Sequence, residues 1–198
     1  MTAPADPLAA FQRLVEGLER LDIPFLVVGS LASSIHGIYR ATADVDLVAV
    51  LDPKKVDPLV QELGGEFYAD PEMIREALRR NRPFNLIHYA SSYKFDLFPL
   101  SPDPYRQTEF SRRRMEEWPG LAEHFSIPVA TAEDTILSKL VWYRSGGEVS
   151  ENQWGDLRVV IEVKKGLLDL AYLRQWARHL GVEDLLERAL RQSGLETA

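Results

Sequence analysis

The sequence contains no cysteine. That excludes a disulfide framework, a thiolate zinc site, a cysteine nucleophile and an iron–sulfur cluster. It has no apolar run of about 18 residues or more, the length a bilayer-spanning helix requires, so no membrane segment is expected. Met1 to Leu21 lacks a basic region followed by an unbroken apolar run; no secretory signal is expected there, and the expected location is the cytoplasm. Histidine is scarce, and His36, His88, His124 and His179 show no spacing suited to a shared metal. Positive charge is in deficit: 23 Lys and Arg stand against 30 Asp and Glu, a net charge of −7. This argues against a uniformly positive coat for nucleic-acid backbones and leaves room only for a local basic patch.

What is present is an ordinary globular composition, with 45% apolar and 27% charged residues in 198. That length suits one good-sized domain, or a core with a smaller appendage. Leu8, Phe11, Leu14, Val15, Leu18 and Leu21 recur at helical spacing and predict a helix over 7–21. Phe25 to Val28 reads as a short strand, Gly29-Ser30 as a tight turn, and Leu31 to His36 as a helix ending at Gly37. Asp44 to Leu51 reads as a second strand, with helices at 54–63 and 71–81. Phe84 to Tyr89 and Tyr93 to Phe98 predict an antiparallel hairpin. A helix is expected at 104–117 and a strand at 127–130. Everything after Thr131 reads as helical, with Thr131 and Ser150 as caps. The expected organisation is an α/β core over 1–125, a mixed β-sheet flanked by helices, and a C-terminal helical region over 126–198 packed on it.

Three features carry chemistry. Gly29-Ser30 lies between a strand and a helix, where the backbone can approach a ligand and the helix N-terminus offers unpaired amides to a phosphate. Asp44 and Asp46 are two apart on a strand, so both carboxylates leave the same face. Side by side they repel, and a hard divalent cation such as Mg²⁺ removes the conflict. Asp96 stands in an apolar-aromatic strand, where a carboxylate is costly unless paired or metal-bound. Each also has a plain reading: a capped turn, a solvated strand end, and a local Lys94–Asp96 contact or an exposed edge strand.

Taken together, Val27-Val28-Gly29-Ser30, Asp44-Val45-Asp46 and the distant Asp96 resemble the nucleotidyltransferase superfamily with the polymerase-β-like fold. The stretch Arg40-Ala41-Thr42-Ala43-Asp44-Val45-Asp46 is similar to a segment of the minimal bacterial nucleotidyltransferases related to the AbiEii toxins of toxin–antitoxin systems. Ala132-Glu133-Asp134 with Lys139, and the later Asp156, fit that group's next two helices.

The resemblance implies that Asp44, Asp46 and Asp96 are catalytic and bind two Mg²⁺ ions, with Asp96 also activating the acceptor. It implies that Gly29, Ser30, Arg40, Thr42, Lys139 and Asp156 bind the nucleotide, Lys139 as a point charge on the outer phosphates. The implied reaction transfers a nucleoside monophosphate from an NTP, ATP among them, to tRNA or a protein, with an antitoxin as a further partner. An aminoglycoside-like small acceptor, or nucleotide binding without turnover, are the alternatives. Read from the residues alone, Lys139 can also be a solvated helix position, Asp156 can pair with Arg158, Arg144 or a helix end, and Arg40 can be a loop cation. Trp142, Tyr143 and Trp154 read as packing between two helices. Arg75, Arg79, Arg80 and Arg82 form one basic run and Arg112 to Arg114 another, each able to meet an RNA backbone or simply to be solvated.

Overall fold

Asp6 sets the start of the first helix: its carboxylate accepts the Leu8 amide while Pro7 takes the first helical position, giving α1 (Pro7–Arg20). The computed structural model describes residues 6–37, 44–118 and 125–195. The chain continues through β1 (Phe25–Val28), α2 (Gly29–His36), β2 (Asp44–Ala49) and α3 (Val56–Leu63), the last preceded by a short 3₁₀ turn. Then come β3 (Phe67–Tyr68), α4 (Pro71–Arg79), β4 (Phe84–His88), β5 (Lys94–Pro99), α5 (Pro104–Arg112), β6 (Arg114–Glu117) and β7 (Ser126–Val129). Four helices close the described chain: α6 (Ala132–Ser145), α7 (Glu151–Val163), α8 (Leu170–His179) and α9 (Glu183–Gln192). Thr131, Ser150 and Asp169 cap α6, α7 and α8 by accepting the amides of Asp134, Gln153 and Tyr172.

The strands form one mixed sheet in the order β3-β4-β5-β2-β1-β7-β6. β2 runs parallel to β5 and antiparallel to β1, and β1 is parallel to β7. Strand alternation sorts the side chains by face. Val45, Leu47, Phe95 and Leu97 are buried together with Phe11 and Leu14 of α1, Leu59 of α3 and Ile74 of α4. The opposite face carries a smaller apolar cluster of Leu26, Val48, Phe110 and Ala130, bordered by Phe98. A separate core holds α6 to α9 together, and Tyr105 of α5 is buried within it.

Two elements differ from the sequence expectation. The helix expected over 104–117 stops at Arg112, where Arg113 turns to an extended backbone and its guanidinium bonds the Phe110 carbonyl at 2.7 Å. Residues 114–117 instead pair with β7, where the ladder satisfies backbone groups that a helix would have satisfied locally. The two-residue β3 has no signal in the sequence; it pairs Phe67 and Tyr68 with His88 and Ile87.

Candidate active site at the β1–α2 turn

The site starts at Gly29, which opens α2 with a φ of +67°, a conformation that favours glycine. A Cβ there would lie 2.1 Å from Oδ2 of Asp46 and 2.9 Å from its Cγ, so the carboxylate rests directly on the turn. Register explains the approach, since Val28 is paired with Asp46 across the β1–β2 ladder. No side chain caps α2; Ser33 and Ser34 instead donate to the carbonyls of Gly29 and Ser30. With no side-chain cap, the first turn of that helix can offer its amides, those of Gly29 and Ser30 included, to an anion.

The parallel β2–β5 ladder pairs Asp44 with Lys94 and Asp46 with Asp96. All four side chains share the face opposite to Val45, Leu47, Phe95 and Leu97. Lys94 Nζ lies 2.7 Å from Asp96 Oδ2 and 4.0 Å from Asp44 Oδ2. Burial, followed by the charges of Asp44 and Asp96, pushes the Asp46 carboxyl up to about 6, while Lys94 and Lys139 pull the other way. Three carboxylates, Asp44, Asp46 and Asp96, thus stand on one face of two neighbouring strands. Such a hard-oxygen donor set, with Asp46 opposed by its two neighbours, is of the kind a divalent cation takes. As the side chains stand, no three His, Cys, Asp or Glu groups among the described residues close on a common point.

Lys139 and Asp156 are brought together with each other. Lys139 is only 3% exposed, and its ammonium donates to Asp156 at 2.8 Å and to Gln153 at 3.2 Å, bridging α6 and α7. Arg40 and Thr42 lie outside the described residues.

Beside the carboxylates opens a cavity of about 210 Å³ whose wall includes Gly29, Asp46, Phe98, Arg106, Ser138 and Trp142. Trp142 does not pack between helices as expected: it is 53% exposed and meets Phe98 edge-on at 6.3 Å between ring centres. Tyr143 and Trp154 do pack on each other between α6 and α7. Arg106 was not marked by the sequence, where it is one charge in a mixed stretch. Its Nη1 bonds Glu109 at 2.7 Å and Ser138 at 3.0 Å, and Glu109, 1% exposed, also accepts from Ser138 at 2.9 Å. Burial pushes the Glu109 carboxyl up and the Arg106 and Ser138 bonds hold it down. The result is a guanidinium fixed in the cavity wall beside an aromatic pair, able to hold a ring with acceptor atoms on its edge.

The basic runs are largely spent within the molecule. Arg75 pairs with Asp57 and Glu72, Arg79 and Arg80 share Glu76, and Arg112 reaches Glu133 and Asp134. His36 is buried and its Nε2 lies 2.5 Å from the Ala130 carbonyl, tying α2 to the end of β7.

No protein-family model matches the sequence, and a search of curated proteins finds no match. Solved structures do match. ANT(2″)-Ia in complex with adenylyl-2″-tobramycin superposes with a TM-score of 0.54 at 13% identity, covering 87% of this chain and 97% of that one. An antigenic nucleotidyltransferase-like protein from Paracoccidioides brasiliensis superposes with a TM-score of 0.51 at 17% identity, covering 95% and 94%. The chain therefore has the nucleotidyltransferase fold. Among the described residues no helix is long and apolar enough to cross a membrane.

Proposed function

We propose that the protein is a Mg²⁺-dependent nucleotidyltransferase that moves a nucleoside monophosphate from an NTP, ATP included, to an acceptor hydroxyl. The observation that carries this reading is Asp46 lying against the Gly29 turn, with Asp44 and Asp96 on the same sheet face. Gly29 and Ser30 present backbone amides to the triphosphate, so its charge is held at the uncapped end of α2. Asp44, Asp46 and Asp96 would hold two Mg²⁺ ions, which when bound supply charge neutralisation at the phosphates. Asp96 takes the proton from the acceptor hydroxyl. The acceptor oxygen bonds to the α-phosphorus, the bond to the β-phosphate oxygen breaks, and pyrophosphate leaves. Lys139, held by Asp156, sets a fixed positive charge behind the site. Arg40 and Thr42, just before the aspartate pair, are assigned to the nucleotide on the motif alone.

In this reading residues 1–125 are the catalytic core and 126–198 a helical region packed on it, which also lends β7 to the sheet. The AbiEii-like motifs support tRNA or a protein as acceptor, a toxin role and an antitoxin partner, and acceptors of that kind suit a cytoplasmic location. A second acceptor class is favoured by the cavity. It opens beside the carboxylates between Phe98 and Trp142, and the paired arginines offer less free charge to an RNA backbone than their runs suggest. The acceptor in that case is a small hydroxylated molecule, the class to which the tobramycin adduct of ANT(2″)-Ia belongs.

The test is transfer from α-labelled NTP in a mixture of tRNA, protein and small hydroxylated acceptors with Mg²⁺. Label is expected in one fraction with wild type and lost in folded Asp44→Ala; undiminished transfer by that variant would sink the site assignment.

A further inference from the structure

Lys94 is the charged residue of the site that neither the motif nor the proposed chemistry uses. The β2–β5 register puts it opposite Asp44 and one step from the Asp46–Asp96 pair. Its ammonium touches Asp96 at 2.7 Å and stands 4.0 Å from Asp44. Two carboxylates of the cluster are thus turned towards one monovalent cation supplied by the chain itself. An ammonium among them takes up oxygen atoms that a shared ion would coordinate.

We infer that Lys94 is a built-in counter-ion that a divalent cation must displace, so that the site takes its metal together with the nucleotide and binds it poorly beforehand. This rests on the nucleotidyltransferase reading. A bare divalent ion entering the cluster breaks a charge-assisted contact and leaves the ammonium beside a competing positive charge. An NTP arriving with the ion brings phosphate oxygens at the same moment, and the displaced ammonium regains an anionic partner. The side chain is free to make that exchange. The side chain is 40% exposed, and its four-carbon stem lets the charge swing without any shift of β5. Exposure also bounds the effect, because a partly solvated ion pair is a modest barrier. Lys94 therefore acts as a positioning residue whose removal changes metal affinity before it changes chemistry.

The experiment uses Mn²⁺ as the probe, titrated by calorimetry into the full chain with and without a non-hydrolysable NTP analogue. Wild type is expected to bind Mn²⁺ weakly alone and about tenfold more tightly with the analogue. Lys94→Met is expected to bind Mn²⁺ alone about tenfold more tightly than wild type, with most of the analogue's help gone. Lys94→Arg, which keeps the cation, is expected to stay like wild type, and Lys94→Gln replaces Lys94→Met should that variant not fold. Mn²⁺ binding by Lys94→Met or Lys94→Gln no tighter than by wild type would overturn the counter-ion role while leaving nucleotidyl transfer standing. Absence of Mn²⁺ binding by every form, even with the analogue, would overturn both.

Discussion

Asp46 is held where its charge is opposed by burial and by two neighbouring carboxylates, a placement that works against stability. Moving a carboxyl from 3.8 to about 6 disfavours its ionised form by about 3 kcal/mol, reduced by whatever solvent still reaches it. Because the folded value is the higher one, this group's contribution is most favourable below 3.8 and is lost as pH rises through about 6. Asp46→Asn is therefore expected to melt higher than metal-free wild type at pH 8, by about 2 kcal/mol of stability, with the gap closing towards pH 4. Thermal melts at the two pH values check this, and the same variant should transfer no nucleotide. Trp142 behaves differently. Being exposed, Trp142→Ala should leave stability within about 0.5 kcal/mol of wild type yet weaken ring binding by about tenfold, read as a rise in KM for whichever substrate places its ring there. Of these residues the aspartates were legible in the sequence, because alternation puts both charges of Asp44-Val45-Asp46 on one face of an otherwise apolar strand. Trp142 was not: a tryptophan at helical spacing carries the same letters whether it faces a core or a cavity, and only the placement of Phe98 on β5 decides.

At the scale of elements, α5 links the sheet to the helical region. Tyr105 is buried in the helical core, and Arg106 with Glu109 is locked to Ser138 of α6. Removing Glu109 strips a half-buried guanidinium of its counter-charge. Glu109→Ala is expected to cost about 3 kcal/mol in urea unfolding, and Glu109→Gln clearly less, since an amide oxygen still accepts from Arg106 or Ser138. Both should also loosen the cavity wall and raise KM. The end of α5 shows where sequence patterning runs out. Residues 104–117 have a helical composition, and what stops the helix is an edge of β7 left open for pairing, a long-range fact that no local window contains. The caps Thr131, Ser150 and Asp169 lie at the other extreme: each accepts from an amide three residues away, a range that local letters cover.

Over the whole molecule, the net charge of −7 resolves into two populations. Many surface acids are matched by arginines, which is why runs that resemble a nucleic-acid footprint in the sequence become internal pairs in the fold. A second group of acids, Asp44, Asp46 and Asp96, stands together where β2 and β5 meet. Sequence reading reached that cluster and the α/β class because strand, turn and aspartate pair lie within about twenty residues, close enough for spacing to carry meaning. It did not reach the Lys139–Asp156 bridge as a bridge, nor the cavity, since both depend on how α5, α6 and α7 are set against the sheet.

The alternation on β2 has one further consequence. Asp44 and Asp46 face the site only because Val45 and Leu47 face the core. A slip of a single residue against β5 would exchange the two sets, presenting apolar side chains to the nucleotide and carboxylates to the interior. Misfolding by register and loss of catalysis are thus one event in this chain, and turnover doubles as an assay of correct strand pairing.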